Sequence, residues 1–583
     1  MKAVVLAGGG ERGFTPLSRQ CPKALLPVGN TPLLAHTLRY LSRQGVRETF
    51  VCTGAGSESI REKCRDWRPS DMTLHFVPEP IPLGTAGCLH GLRSSLGADP
   101  FLVVAGMPFI DFSLDALMGV HRQRGATVTV ALAEERSPKG FAEDVVWGQE
   151  GHIEEIVVPY GHGRGGGPRT LGVYILEPRI FQFMGRESYL DLKEQLIRRI
   201  RRAGLRVIGT RVPGVGVRLD TMVDYLRFSH EFLRDGYMGW SSGDRLARLV
   251  RLGEDVSVSK SASLRGPLLV GNGCAVAAGA RVEGPTSIGA ACRIQSTSMV
   301  VASVLMEGAE VSERARLKRC VVAAGCRVPP DGNFADELLL RPEKGGEPPL
   351  TVPLQVLPAA TAAPVAAQMR AGGNNGTAQS RWLFQAVKRT LDLCGAGLSL
   401  MLTAPVLAAA ALAIEVDSPG PVLFRQRRVG LSGREFTMVK LRTMVPDAEG
   451  LQESLADRNE VDGPMFKIGN DPRITRVGRF LRATRIDEIP QLFNVLRGDM
   501  SLVGPRPLAM KEMRYNPAWR DIRLSVKPGA TGLWQVDSRR RNSFQDWITA
   551  DIRYVEGQTI WLDLRILGRT ACEVFRSLWN WRE

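Results

Sequence analysis

The feature that most restricts what this chain can fold into is a six-residue apolar period. Val258, Leu264, Val270, Val276, Val282, Ile288, Ile294 and Val300 each follow the last by six positions. After a slip of one residue the series resumes at Leu305, Val311 and Leu317. Small residues and glycines fill the gaps. A helix repeats every 3.6 residues and a strand every two, so neither gives this spacing. A coil of short parallel strands does, because each side of a rung turns one aliphatic residue inward. The period predicts a left-handed parallel β-helix over residues 246–330. All seven histidines lie at or before His230, so none falls in the β-helix. That weakens an acyltransferase role for it and favours packing, with a homo-oligomer, a dimer, as the expected state.

Ahead of the repeat, residues 1–245 alternate short apolar runs with amphipathic stretches. Lys2–Leu6, Thr49–Cys52, Phe101–Val104 and Val128–Leu132 have the character of strands, and Leu33–Gln44 and Leu114–Arg124 that of helices. This alternation predicts an α/β domain with a mostly parallel sheet. After the repeat, residues 331–380 are rich in Pro, Ala and Gly and read as a linker. The whole chain, 583 residues, is too long for one core. Its net charge of +16 favours polyanions: nucleic acid, nucleotides or an anionic membrane face. Ten cysteines without a CxxC pair argue for reduced thiols and against a zinc site or disulfide framework. The start, MKAVVLAGGG, reads as a buried strand and not as a signal peptide.

The last domain, residues 381–583, opens on an uncharged run, Cys394–Ile414, long enough to span a bilayer. Pro405 stands in its middle after Thr403 and Ala404, and a mid-helix proline removes a hydrogen bond and kinks the helix. Two half-helices broken at Ala404-Pro405 could dip into one leaflet and return, a re-entrant helix near 391–416. A straight spanning helix and a buried soluble helix are the alternatives. Spanning would put the flanking domains on opposite sides, whereas cysteine usage and charge point to one cytosolic face. Leu564–Trp581 is amphipathic, with Arg565, Arg569 and Arg576 among aliphatic residues, and suits either the headgroup layer or the domain core.

This domain contains no histidine, and its cysteines are Cys394 and Cys572. Carboxylates and Mg²⁺ are then the economical chemical set. Asp487 and Glu488 are adjacent, precede Ile489-Pro490, and follow Arg473, Arg476, Arg479, Arg482 and Arg485 at every third position. Proline favours a helix's first turn. A helix N-terminus and the arginines should hold both carboxylates ionised. An ionised Asp can attack phosphorus to form an acyl phosphate, and an adjacent Glu can hold Mg²⁺ shared with substrate phosphates. An adjacent Asp-Glu alone is a weak signal.

The surrounding motifs are more specific. KRTLDL (388–393), GPVLFRQRRVG (420–430), FTMVKLRTM (436–444), NDPRITRVGRFLR (470–482), DEIPQLFNVLRGDMSLVGPRP (487–507) and KPGATGLWQV (527–536) occur in order. Together they resemble the bacterial sugar transferases, monotopic polyprenol-phosphate phosphoglycosyl transferases with an α/β domain and a re-entrant helix. The resemblance implies transfer of a sugar phosphate from a nucleotide diphosphate sugar, UDP-linked, to polyprenol phosphate, with release of UMP. It implies Asp487 as nucleophile and Glu488 as Mg²⁺ ligand. Arg482 and Arg506 become candidate phosphate ligands, with Lys440 and Arg442 as weaker ones. It further implies a monotopic enzyme on the cytoplasmic face of the bacterial inner membrane. Its partners are membrane lipids, not nucleic acid, and its product starts a glycoconjugate or exopolysaccharide. Arg485 departs from the family pattern, where Ser or Thr is usual.

Near the start, LAGGGERGFTPLSRQCPKALLPV (6–28) resembles the sugar-1-phosphate nucleotidyltransferases, whose domain is Rossmann-like and in many members precedes a β-helix. Gly8, Gly9 and Lys23 match the phosphate-binding turn, as do Gly84, Thr85 and Gly87 in the base-binding loop. The catalytic positions depart from the pattern. Glu11 and Gly13 stand where the family has Gly and Arg, Met107 and Arg218 where it has metal-binding Asp, and Val158 where it has the sugar-phosphate Lys. Mg²⁺ does not bind Met or a guanidinium. The domain is therefore expected to bind a nucleotide or to serve as scaffold without nucleotidyl transfer. A bifunctional enzyme that makes its own nucleotide sugar and a non-enzymatic assembly platform are the competing readings.

Overall fold

The computed structural model describes all residues except 9–13, 15, 55–56, 80–83, 137–143, 149–150, 158–167, 185–189, 235–249, 343–346, 355–377, 447, 449, 453–467, 469–470, 510–522, 538–543 and 581–583. Glu11, Arg12, Gly13, Gly9, Val158 and most of the expected linker fall outside the described residues. The chain forms two compact units. The first is Met1–Pro80, Cys88–Met184 and Leu192–Thr361; the second is Ala362–Glu583 with the short segments Ile81–Gly87 and Gly185–Asp191.

The first unit begins with a seven-stranded sheet: β1 (Lys2–Leu6), β2 (Glu48–Thr53), β3 (Thr73–Pro78), β4 (Phe101–Ala105), β5 (Val128–Arg136), β6 (Pro168–Leu176) and β7 (Val207–Arg211), in the order β7-β5-β6-β4-β1-β2-β3. β6 runs antiparallel to both its neighbours, and the other pairings are parallel. Ala3, Val4 and Val5 are fully buried, as are Leu102 to Val104, as expected for inner strands of a mostly parallel sheet. Helices α1 (Leu33–Arg43) and α2 (Leu114–Gln123) follow the expected amphipathic pattern. At the carboxyl ends of β1 and β2, Gly8 packs on Gly54 so closely that a Cβ would lie 2.3 Å from the Gly54 nitrogen.

The β-helix joins this domain within the same unit. Asn30 donates to Ile288 O at 2.7 Å, and His230 Nε2 lies 2.9 Å from Ala302 O. Three parallel sheets form its sides. Val276, Ile294 and Val311 stack along one, and Val282, Val300 and Leu317 along another, all buried. Val258 and Leu264 are only half-buried because they lie on the first coil. The one-residue slip has a local cause. The first two coils turn one corner with Gly266-Pro267 and Gly284-Pro285, while the later coils turn it with a single residue at positive φ: Ala302 (47°), Arg319 (52°) and Asp336 (57°). The ladder does not stop at residue 330. Asn333–Ala335 and Glu337–Leu340 add to two of the sheets, and Leu350–Pro353 closes one antiparallel. The Pro- and Gly-rich composition from 331 onward hid these rungs, because corners need such residues as much as linkers do.

The second unit opens with α3 (Ala378–Asp417), a 40-residue helix long and apolar enough to cross a membrane. Both its flanks are fastened to the same domain. In the first half, Arg389 Nη1 and Nη2 donate to Val495 O and Leu496 O at 2.7 and 2.8 Å, and Asp392 accepts from Ser501 Oγ and the Leu502 amide. Ala396 packs with Phe436, Met438, Val495 and Met500. In the second half, Ala410 and Ile414 pack with Leu441 and Leu481. Between these anchors Leu398, Met401 and Leu402 are exposed by 57%, 69% and 67%, which water would not favour. The expected break at Ala404-Pro405 is not a gap between two helices: the helix continues through Pro405. A proline forfeits one backbone bond, and the surrounding turns carry the helix past it.

After α3 come β8 (Leu423–Val429) and β9 (Glu435–Leu441), a hairpin. α4 (Arg476–Thr484) follows, capped by Thr475 Oγ1 accepting from the Gly478 amide at 3.0 Å. Gly478 is required there, since a Cβ would meet Thr443 O at 2.1 Å. α4 ends at Arg485, left-handed at φ 60°. A 3₁₀ turn, Ile486–Glu488, leads into α5 (Gln491–Arg497). β10 (Ser501–Val503), β11 (Leu508–Ala509) and β12 (Gly529–Thr531) follow; β11 extends the hairpin, and β10 pairs parallel with β12. Last are α6 (Phe544–Glu556) and α7 (Ile560–Asn580). α7 packs on the core through Ile566 and through Asp563, which bonds Lys388 Nζ at 2.6 Å. Its outward face carries Trp561, 81% exposed.

Candidate active site

The 3₁₀ turn between α4 and α5 carries Asp487 and Glu488. The αL geometry of Arg485 reverses the chain after α4, and a non-glycine residue there costs about 1–2 kcal/mol. Arg485 is held by Glu573 of α7 at 3.3 Å. Asp487 is buried, 8% exposed. Glu488 accepts a hydrogen bond from Lys440 Nζ at 2.5 Å. Lys440 reaches it from β9, on the strand face opposite the buried Leu441.

The two carboxyls are driven apart in acidity. Burial and the Glu488 charge push Asp487 up to about 6, against the pull of Lys440 and Arg482. Burial also pushes Glu488 up, but the Lys440 charge and hydrogen bond, with Arg506 and Arg485, outweigh it and hold it below the usual range. The expectation that both are held ionised alike is therefore corrected. Neither carboxylate is the N-cap of α5, which is Pro490, and the backbone hydrogen bond that Asp487 accepts does not outweigh its burial. Such divergent neighbours suit two different roles.

The other candidates divide. Arg482, in the last turn of α4, is an exposed side chain whose Nε donates to Thr443 Oγ1 at 2.9 Å. Arg506 is half-buried in the turn after β10, and its charge acts on Glu488. Lys440 belongs to the carboxylate pair itself. Arg442 does not face the site: it is 8% exposed, and its guanidinium donates to Pro419 O at 2.9 Å and to Ser418 O and Oγ at 2.5 and 3.0 Å. It fixes the chain leaving α3. Of the arginine row, Arg473 is buried in a pair with Asp471 at 2.6 Å, while Arg476 and Arg479 are exposed.

One contributor was not legible in the sequence. Arg523 is 3% exposed, donates to Arg506 O, lies 3.3 Å from Asp551 and stacks 4.7 Å from the Trp547 ring centroid. It holds the main chain that presents Arg506. Its only signal was a charge between the apolar residues Ile522 and Leu524.

No group of three or more His, Cys, Asp and Glu side chains gathers among the described residues. A Mg²⁺ ion commonly takes one or two carboxylates and completes its shell with water and substrate phosphate oxygens. Glu488, kept ionised by Lys440, is a donor of that kind.

In the first unit the nucleotidyltransferase-like positions are occupied otherwise. Lys23 is 6% exposed, donates to Gly106 O at 2.7 Å and lies 5.1 Å from the Phe14 ring centroid. Met107 is buried at φ 48°, a backbone state that Asp or Asn adopts more readily. Arg218 pairs with Asp220 at 2.9 Å, and Arg169 bonds the same carboxylate. In the loop, whose residues 84–87 belong with Asp191 to the short segments grouped with the second unit, Gly84 has φ 85°, Thr85 Oγ1 donates to Asp191 at 2.9 Å, and Gly87 begins a short helix.

Comparison with known proteins divides the chain along the same lines. Family profiles match residues 383–577 as bacterial sugar transferase, 2–198 as nucleotidyl transferase and 255–335 as GlmU-like, C-terminal hexapeptide. The UDP-glucose:undecaprenyl-phosphate glucose-1-phosphate transferase of Caulobacter vibrioides is 47% identical over 192 residues, 32% of this chain and 68% of its own length. The chain belongs to the bacterial sugar transferase family. The exopolysaccharide production protein ExoY of Rhizobium meliloti is 34% identical over 194 residues, 33% of this chain and 86% of ExoY. The undecaprenyl-phosphate galactose phosphotransferase of Salmonella typhimurium is 41% identical over 213 residues, 36% of this chain. This chain covers 44% of that relative, and 40% of the galactosyl transferase CpsE of Streptococcus agalactiae. Within the sugar transferase unit the matched stretch includes the Asp487–Glu488 turn, both flanks of α3 and the Arg506 turn.

Proposed function

We propose that the sugar transferase unit moves a sugar phosphate from a UDP-sugar to polyprenol phosphate, through a phosphosugar held covalently on Asp487. The observation that carries this is one buried, weakly stabilised carboxylate beside a second one kept ionised by Lys440. Asp487 Oδ attacks the phosphorus that bears the sugar. The bond from that phosphorus to the bridging oxygen breaks, and UMP leaves with the electron pair. An oxygen of polyprenol phosphate then attacks the same phosphorus, and Asp487 departs as a carboxylate. With its pKa near 6, Asp487 is mostly ionised at neutral pH yet has few hydrogen bonds to lose, which favours nucleophilic attack. Arg482 and Arg506, whose charges act on Asp487 and Glu488, would neutralise phosphate oxygens there. Glu488 would hold Mg²⁺, which when bound supplies charge neutralisation to the diphosphate.

The exposed apolar middle of α3, fastened at both flanks to one domain, supports monotopic insertion from the cytoplasmic face of the membrane. That anchorage keeps the carboxylates near the depth of a lipid phosphate. The product would begin a glycoconjugate or exopolysaccharide. We read the nucleotidyltransferase-like domain as non-catalytic, since Met107 and the Arg169–Asp220–Arg218 cluster stand where metal-binding carboxylates would be needed. It would bind a nucleotide or act as scaffold, and the chain is expected to dimerise.

The test is to incubate the full chain in detergent with UDP-sugars radiolabelled in the β-phosphate, without lipid, and to look for label on the denatured protein. Label on wild type, chased by polyprenol phosphate and absent in Asp487→Asn, supports the proposal. Label that survives Asp487→Asn overturns it.

A further inference from the structure

Beyond the active site, two cations converge at the far end of α5. Gly498 ends that helix at φ 94°, a conformation suited to glycine. A Cβ built on it would stand 3.6 Å from Arg389 Nη2 and 3.8 Å from Lys527 Nζ. The two nitrogens come from different elements, α3 and the segment before β12, and both approach the same side of one Cα. Glycine leaves that side without a side chain.

The surrounding charges are already employed. Arg389 bonds two main-chain carbonyls at the end of α5, which fixes its plane; a guanidinium has five N–H donors, so others stay available. Lys388 pairs with Asp563 at 2.6 Å. Asp392 accepts from Ser501 Oγ at 2.9 Å and from the Leu502 amide at 2.8 Å. Asp499 lies 3.3 Å from Arg497 Nε. Lys527 is half-buried and has no hydrogen bond or ion pair among the described residues. Burial and the Arg389 charge lower its pKa, with Lys388 adding to this and Asp392 and Asp499 opposing. Asp392 and Asp499 act on this ammonium from a distance, and no carboxylate oxygen lies within 4.0 Å of it among the described residues.

We propose that Arg389 and Lys527, over Gly498, form a second anion site that takes a phosphate-class oxyanion. A planar guanidinium and a point-charge ammonium on the same side of one Cα match the tetrahedral oxygens of a phosphate ester. The site lies about 15 Å from the catalytic turn, from the ten residues of mostly helical chain between Glu488 and Gly498. Arg389 immediately precedes the exposed apolar run of α3 that begins at Leu391 and Leu393, 36% and 41% exposed. A phospholipid headgroup and a soluble phosphate share the chemistry, and the site does not depend on the catalytic reading.

Native mass spectrometry of the full chain in maltoside detergent tests it, with two probes titrated separately: dihexanoyl phosphatidylglycerol and inorganic phosphate. Removal of one charge-assisted contact predicts about tenfold weaker binding of the recognised probe by Lys527→Gln, with Lys527→Arg within about twofold of wild type. Loss confined to the lipid identifies a headgroup site, and loss for inorganic phosphate identifies a soluble-phosphate site. Binding of both probes that is unchanged by Lys527→Gln, or absent in wild type, overturns the proposal. Circular dichroism of each variant separates lost binding from lost fold. The phosphosugar label on Asp487, measured in parallel, reports the catalytic reading independently.

Discussion

Asp487→Asn should make the protein more stable while removing its proposed nucleophile. In the folded chain burial and Glu488 raise the Asp487 carboxyl from the usual 3.8 to about 6. The native state therefore binds more protons than the unfolded state between those values, and stability falls as pH rises through them. Below 3.8 the group is protonated in both states and contributes nothing. Above 6 the full cost is present. At about 1.4 kcal/mol per factor of ten in proton affinity, ionised Asp487 costs about 3 kcal/mol at pH 7.5 and about half that at pH 5. Asparagine has nearly the same shape and no charge. For a unit of about 200 residues the gain corresponds to a melting shift of roughly 6–12 °C at pH 7.5. The measurement is thermal unfolding of the full chain in detergent with EDTA, followed by tryptophan emission, since Trp547 is buried in this unit. The two units can unfold separately, so only the transition that reports this unit is compared. Equal melting of variant and wild type at pH 7.5, or a gap that does not shrink at pH 5, would refute the electrostatic account of the site.

Three further outcomes are expected. Lys440→Met removes a charge that lowers the Asp487 pKa, so the acidic limb of the kcat/KM profile for UMP release should move to higher pH; an unmoved limb means Lys440 does not act on Asp487. The full chain should release no pyrophosphate from sugar-1-phosphate and any NTP with Mg²⁺; release abolished by Lys23→Ala would restore the bifunctional reading. Met401→Asp, at a site 69% exposed on α3, should cost about 3 kcal/mol of insertion and shift protein from the carbonate-washed membrane fraction to the soluble one. Unchanged fractionation would count against insertion of this stretch.

Much of the β-helix was legible because every hexad repeats one local demand: an aliphatic residue inward, a small one at the corner. The slip was visible too, but its cause was not, since only the backbone reveals that Ala302 does alone what Gly284-Pro285 does as a pair. The rungs beyond 330 are not legible in sequence, because Phe334 and Leu339 carry the repeat through a segment rich in corner residues. At the site, adjacency made Asp487 and Glu488 readable. Their unequal acidities were not, because these depend on Lys440, 48 residues away on another element. Arg442 and Arg473 show the converse: a charge in a motif reads as a ligand until its bonds to Ser418 and Asp471 are seen. α3 was readable from composition, but its double anchorage rests on Arg389, Asp392 and Ile414 finding partners far along the chain.

The later coils of the β-helix share one corner geometry, and this gives the chain a modular ruler. Val300, Leu317 and Phe334 are successive equivalents seventeen residues apart. Removing or duplicating one such block leaves every surviving rung beside a neighbour of the same kind. Each step would alter the solenoid by about 4.8 Å, the spacing between paired strands. Length changes of seventeen residues should then be tolerated where changes of five or ten are not, so natural variants or engineered chains could lengthen or shorten this spacer only in whole increments.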